Sequence, residues 1–180
     1  LKLAKFIIQM IRLDRYIFVI GIVLLAVLAL TNLLVISLIM SIAFVLSFFI
    51  NKFGLRAIGI ELVTFVAVVT GYTYGAFAGV VVALVLIVFH LLVSGYFGIY
   101  FAWVIPEYPV AAYIASTMAG QGIVFVGILI TIGLNIFNFT ITALVARENI
   151  GKYLPFMLTN IAFNAALFLL GGQFIAGVLK

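Results

Sequence analysis

The sequence predicts an all-α integral membrane protein: a polytopic bundle of six to seven transmembrane helices, preceded by a basic amphipathic helix. The chain has 180 residues, of which 68% are hydrophobic and 7% are charged. A water-soluble domain of this size would expose much of that apolar surface to solvent, so lipid is the expected surrounding. Long uncharged runs follow one another along residues 16–180, and they predict membrane-spanning helices within a single domain.

Residues 1–15 predict a helix that lies on the membrane surface. Lys2, Lys5, Gln9 and Arg12 recur at helical spacing, and apolar side chains fill the opposite side. This pattern is typical of a basic interfacial helix; the alternative is a solvated helix start. No small-residue cleavage site follows the first apolar run, so a removable signal peptide is not expected.

The uncharged runs are too long for single crossings. As one helix, residues 16–50 would extend about 52 Å at ~1.5 Å per residue, against a hydrocarbon core of ~30 Å. Breaks are therefore expected where polar or glycine residues interrupt the runs, and Pro109 is expected to open a helix. The breaks are Thr31–Asn32, "GYTYG" (71–75), "AGQG" (119–122) and "GGQ" (171–173). The expected spans are 16–30, 33–50, 57–70, 76–94, 109–119, 123–146 and 153–171.

The basic residues favour seven spans in the cell membrane, with the N-terminus in the cytoplasm. The net charge is +5, but lysine and arginine lie at segment ends and form no patch, so nucleic acid is not an expected partner. With seven spans, most basic residues fall on the cytoplasmic side, as the positive-inside rule predicts. They are Lys2, Lys5, Arg12, Arg15, Lys52, Arg56, Arg147 and Lys152. Six spans, with 109–146 as one crossing, would move the last two outside.

Two ionisable side chains lie inside apolar runs, Glu61 and His90. Such groups are costly at membrane depth, so each is expected to have a partner. If the chain turns back between them, both fall at the same depth, and we predict that they face each other or share a polar pocket. The alternative is that Glu61 pairs with Arg56 while His90 binds a backbone carbonyl.

Four asparagines form a second polar group. Asn135 and Asn138 are three residues apart and Asn160 and Asn164 four apart, so each pair lies on one helix face. Amide side chains both donate and accept hydrogen bonds, so facing pairs can bind a neutral polar ligand or hold two helices together. Both interpretations stay open at this point.

The "GYTYGAFAG" stretch carries glycines at 71, 75 and 79. Because the run must bend here, Gly71 is assigned to the turn. Gly75, Gly79 and Ala83 then share one face of the following helix, and small residues at this spacing predict close helix packing.

Several function classes find no support in the sequence. The chain has no cysteine and one histidine, so thiolate chemistry is excluded and an all-protein metal site is not expected. No phosphate-binding loop, nucleophile–base pair or zinc-protease motif is present, so neither enzymatic activity nor a cofactor is predicted. Any active transport would need other subunits to supply energy.

The stretch "GIELVTFVAVVTGYTYGAFAGVVVALVLIVFHLLVSGYFG" (59–98) resembles the substrate-binding membrane component of energy-coupling factor transporters. The glycine turn, the Gly75–Gly79 spacing and a polar residue at His90 carry the resemblance. "PEYPVAAYIASTMAG" (106–120) resembles the aromatic and proline-rich start of that family's following helix. A similar layout occurs in the bacterial rod-shape-determining membrane family, which usually has an aspartate near the position of His90.

The resemblance implies a solute-binding subunit that takes a vitamin-like small molecule or metal ion into its own bundle. A separate transmembrane coupling subunit and two ATPases would then drive transport. Substrate binding would fall to Tyr72, Tyr74 and those asparagines that reach the outer side, and Glu61 and His90 would serve structure or coupling. The alternative is a non-catalytic accessory or scaffold subunit of a larger membrane complex, favoured by the many packing motifs and the few polar residues.

Overall fold

A computed structural model describes residues 34–53, 58–94, 98–147 and 150–178. The chain divides into two compact units, 1–38 and 39–180, and every contact named below lies within the second. The predicted surface helix over 1–15 and the predicted span over 16–30 lie outside the described residues. All regular structure in the described residues is helical, as the uncharged apolar runs predict.

Seven α-helices and one π-helical turn make up the described part of the chain. They are α1 (Leu34–Lys52), α2 (Val63–Tyr74), α3 (Ala76–Ser94), α4 (Phe101–Thr117), α5 (Ile123–Val145), α6 (Ile150–Leu167), the π-turn Phe168–Gly172 and α7 (Gln173–Val178).

Three helical stretches are long and apolar enough to cross a membrane: Ala76–Val93, Ile123–Val145 and Tyr153–Gly177. Large apolar side chains remain exposed along them, among them Leu92, Leu129 and Leu170. A helix that is apolar on its outer face as well as its inner face suits lipid better than water.

Helix α2 lies at the centre of the packing, because Val63 to Gly71 are all buried. Helices α3 and α4 pack on it and on each other, while α5 packs mainly on α6. Helix α1 meets α3 through the rings of Phe44 and Phe89, whose centroids are 4.2 Å apart.

The turn between α2 and α3 lies at Gly75, whereas the sequence assigned it to Gly71. Gly75 has φ +85° and ψ 176°, a conformation that is essentially restricted to glycine. Its amide donates to the Gly71 carbonyl (3.1 Å) and its carbonyl accepts from the Gly79 amide (3.1 Å). Three residues therefore separate the turn at Gly75 from a glycine on each side.

Gly71 and Gly79 make the close backbone contact of this hairpin. A Cβ built on Gly79 would lie 2.5 Å from Gly71 Cα, and one built on Gly71 would overlap the backbone of Ala112 in α4. A Cβ on Gly75 would meet nothing within 4 Å, so its predicted packing role is wrong. Ala83, also predicted to pack, is fully buried.

Helix α4 begins at Phe101, eight residues before the predicted start. Pro106 and Pro109 both lie inside it, although proline ordinarily opens a helix because it lacks an N–H donor. A turn that begins at Gly98 initiates the helix, with Phe101 N donating to Gly98 O (3.2 Å). Burial of Trp103 on the inner face then favours the helix over an interfacial loop.

The predicted break at "GGQ" is a π-turn instead, so the chain stays helical from α6 through α7. Phe168 begins this turn and is fully buried, with its ring against Gly127 and 4.9 Å from the ring of Phe65. A Cβ on Gly127 would overlap that ring. The wider turn therefore coincides with a large side chain that locks α6 onto α5 and α2.

Candidate functional site

The segment before α2 crosses α6 at very short range. Gly59 donates its amide to Thr159 Oγ1 (2.8 Å), and its carbonyl accepts from Asn160 Nδ2 (2.9 Å). A Cβ at Gly59 would lie 2.6 Å from Asn160 Cβ, so only glycine fits the crossing. The two hydrogen bonds fix the chain between the exposed Ile58 and the buried Glu61.

Glu61 is buried at the start of α2 and accepts hydrogen bonds from two helices. Within its own chain segment, Thr64 donates its hydroxyl to Oε1 (2.6 Å) and its amide to Oε2 (3.0 Å). From α6, Asn160 and Asn164 direct their amide groups to Oε1 at 3.1 and 3.3 Å. The positive end of the helix dipole further suits a carboxylate at this position.

Three of the four predicted asparagines belong to this cluster. Asn135 Nδ2 in α5 donates to Asn160 Oδ1 (2.8 Å), which links α5 to α6 and through Asn160 to Glu61. Asn164 is fully buried, and its Oδ1 has no hydrogen-bond partner among the described residues. We call Glu61, Thr64, Asn135, Asn160 and Asn164 the amide cluster.

Asn138, the fourth asparagine, serves a different group. Its Nδ2 donates to both oxygens of Glu107 (2.5 and 2.6 Å), and its Oδ1 accepts from Trp103 Nε1 (3.0 Å). Trp103 and Glu107 are one turn apart on α4, so they lie on the same helix face. The amide thus holds the carboxylate and the indole in fixed relative positions.

Glu107 and Trp103 line a cavity of about 590 Å³ between α4 and α5. We call it the Glu107 cavity. Both are buried, at 6% and 8% exposed, whereas the other lining residues are apolar or glycine. These are Ala102, Pro106, Val110, Ala111, Ile114, Met118, Leu129, Ile130, Gly133, Leu134 and Phe137. A pocket of this size with few polar groups is typical of small-molecule sites.

Tyr108 is buried beside the amide cluster and directly follows Glu107 in the sequence. Its hydroxyl is hydrogen-bonded to Thr64, and the charges of Glu61 and Glu107 both act on it. Because the Thr64 hydroxyl donates its proton to Glu61, Tyr108 is the donor to Thr64. Glu61 also acts electrostatically on Glu107.

His90 contacts a different helix. Its Nδ1 is 2.8 Å from Ser47 Oγ of α1, while the Ser47 hydroxyl is also 2.8 Å from the Ala43 carbonyl. The Gly75 turn places Glu61 and His90 a similar distance from the bend, and the charge of Glu61 reaches the His90 ring. A joint role of the two residues stays a prediction.

Tyr72 and Tyr74 lie at the opposite end of α2 from the amide cluster. Tyr72 donates its hydroxyl to the Gln121 carbonyl (2.5 Å), which joins the α2–α3 turn to the α4–α5 loop. Tyr74 is ten residues from Thr64, about 15 Å along the helix at ~1.5 Å per residue. The structure therefore separates the tyrosines from the asparagines, although the resemblance grouped them as one ligand site.

Sequence reasoning misses Glu107 and Trp103, because both precede Pro109, where the helix is expected to begin. One signal was available: tryptophan and glutamate four residues apart would share a face if the segment were helical. The two prolines weaken this signal, because proline inside a helix ordinarily breaks or kinks it.

The two groups of polar residues can hold a ligand. Their polar groups are amides, carboxyls and hydroxyls that hydrogen-bond one another, and among the described residues no three His, Cys, Asp or Glu side chains gather as metal ligands. An orienting amide, a carboxyl group and an indole at an apolar cavity are the elements of a ligand-recognition site. Comparison with protein-family models, with curated proteins and with solved structures finds no match.

Proposed function

We propose that the chain is a multi-pass subunit of the cell membrane that binds a small solute between its helices and carries out no chemistry itself. The proposal rests on the position of Glu107. Its buried carboxyl group is oriented by Asn138 and lies at the wall of an otherwise apolar cavity of about 590 Å³. A structural carboxyl group needs no cavity beside it, whereas a ligand-binding one does.

The resemblance to energy-coupling factor transporters extends the proposal to partners. A coupling subunit and ATPases would supply the drive, and the N-terminus would lie in the cytoplasm. The membrane bundle would contain six or seven spans, of which the three long apolar helices are the best supported. The amide cluster would hold the bundle together, since Asn135 and Asn160 bind each other and Asn160 and Asn164 bind Glu61.

Thermal unfolding in lipid nanodiscs tests solute binding. We expect at least one compound from a panel of vitamins, amines and neutral apolar molecules to raise the unfolding temperature of the wild-type protein. Gly133→Leu should abolish that rise, because Gly133 lines the cavity and a side chain there would enter open space. Gly151→Leu is the matched control, since Gly151 also faces open space but lies outside the cavity lining.

A scaffold role is the second candidate, and a specific observation favours it. Helix α3 exposes Phe77 at 85% and α5 exposes Leu144 at 76%, so large apolar surfaces remain for neighbouring subunits. If no compound stabilises the protein and Gly133→Leu copurifies with the same membrane subunits as wild type, the scaffold role is supported and solute binding is not.

A further inference from the structure

The Glu107 cavity also restricts the chemical class of its ligand, and this inference rests on the proposed solute binding. Of the described residues, no lysine or arginine acts on Glu107; the neighbouring charge that does so is the carboxylate of Glu61. An anionic ligand would therefore meet two buried carboxyl groups and, among the described residues, no neutralising cation, which disfavours its binding.

Glu107 retains capacity to accept hydrogen bonds. A carboxylate offers about four lone-pair positions, and among the described side chains only Asn138 donates to it, with one contact to each oxygen. Trp103 adds its indole ring to the lining of the same cavity. An ammonium group is attracted by a carboxylate, and also by the face of an aromatic ring when it lies within about 6 Å of the ring centroid.

The remaining lining excludes a bare metal ion. Calcium takes about six to eight oxygen ligands and magnesium about six, but the wall beyond Glu107 is almost entirely hydrocarbon. Exposed apolar side chains rim the cavity on both helices, among them Val110, Ile114, Leu129 and Phe137. A ligand that enters here needs an apolar body, and in a membrane it would approach through the lipid.

We propose that the Glu107 cavity binds a membrane-partitioned organic cation, with a single ammonium group between Glu107 and the Trp103 ring and an apolar body along α4 and α5. Asn138 positions both recognition groups, because its amide hydrogen-bonds the indole and the carboxyl group at once. A volume of about 590 Å³ accommodates a body of the size of a benzyl group or larger.

Trp103 is the only tryptophan of the chain, so its fluorescence reports directly on the cavity. The protein in zwitterionic nanodiscs would be titrated with benzyltrimethylammonium and, separately, with neopentylbenzene, its uncharged carbon analogue. We expect a saturable change in Trp103 emission with the cation, at an affinity at least tenfold above that of the neutral analogue.

Two variants separate charge from shape. Glu107→Gln should lower the affinity for the cation at least tenfold and leave the affinity for the neutral analogue unchanged. Gly133→Leu should abolish binding of both compounds. Gly151→Leu should bind like wild type. Gly133→Leu keeps the carboxyl group, so it remains informative even if Glu107→Gln does not fold.

The outcomes also separate this inference from the proposed function. Equal affinity for the two compounds, or cation binding that survives Glu107→Gln, would overturn the cation assignment and leave solute binding intact. Emission changes that persist in Gly133→Leu would show partition into lipid and overturn the assignment too. If neither compound binds and the wider panel also gives no thermal shift, both the inference and the proposed function fail.

Discussion

Substituting Gly79 with alanine tests the hairpin that organises the bundle. The added Cβ would lie 2.5 Å from Gly71 Cα and 2.8 Å from Gly71 N, whereas ordinary contact begins at 3.4 Å. Both neighbours are backbone atoms, which cannot rotate away, so α2 and α3 must separate by about 0.9 Å. Gly71 also packs against Ala112 of α4, so the shift reaches a third helix.

Overpacking of this kind lowers the free energy of unfolding by about 1–3 kcal/mol. Replacing a helical glycine with alanine raises it by up to about 1 kcal/mol, because alanine has the higher helix propensity. We expect Gly79→Ala to lose about 1–2 kcal/mol of unfolding free energy, measured from the midpoint of reversible unfolding in mixed detergent micelles. Gly133→Ala is the control: its Cβ meets nothing within 4 Å, so it should be neutral or gain up to about 1 kcal/mol. Equal stability of the two variants would refute the contact between the glycine backbones.

Three further substitutions, at Gly75, Asn160 and Phe168, test other parts of the structure by the same unfolding measurement, and Thr140→Ala and Phe174→Ala are the controls for the last two. Gly75→Ala should destabilise by about 1–3 kcal/mol, because alanine must adopt a glycine-only conformation; no loss would mean a different turn. Asn160→Ala should cost about 2–3 kcal/mol by leaving Glu61 and the Gly59 carbonyl short of a donor. Thr140→Ala, an exposed hydroxyl that bonds its own helix, should change stability by less than about 0.5 kcal/mol. Phe168→Ala should cost about 3–5 kcal/mol, with the exposed Phe174→Ala as control; equal losses would contradict the buried π-turn.

The sequence predicts the helical class well because its apolar runs are long and uninterrupted, and the described residues are indeed helical. It predicts boundaries less well where local preference and tertiary packing disagree. Pro109 suggests the start of a helix, yet α4 begins at Phe101 and continues through Pro106 and Pro109, because it buries Trp103 and Tyr108. Likewise, "GGQ" suggests a break, but burial of Phe168 keeps the chain helical.

The glycine pattern shows a related limit of sequence reasoning. Three glycines at equal spacing identify a close approach and a turn, but not which residue does which. Only the backbone angles assign Gly75 to the turn and leave Gly71 and Gly79 in contact.

The candidate site was predictable in part. Helical spacing identified Asn135, Asn160 and Asn164 as polar residues inside the bundle, and they meet at Glu61. Spacing within one helix cannot show which distant helix supplies the partner, so the pairing of Asn138 with Glu107 required the three-dimensional arrangement.

Native mass spectrometry tests most directly whether the Glu107 cavity holds a small molecule. Wild type, Gly133→Leu and Gly151→Leu would be released from nanodiscs after incubation with the compound that gives the largest thermal shift. We predict one bound molecule per chain in wild type and in Gly151→Leu, and none in Gly133→Leu, where leucine fills the space beside Glu107. Equal occupancy in all three proteins, or no bound molecule in any, would contradict the assignment of the cavity as a binding site.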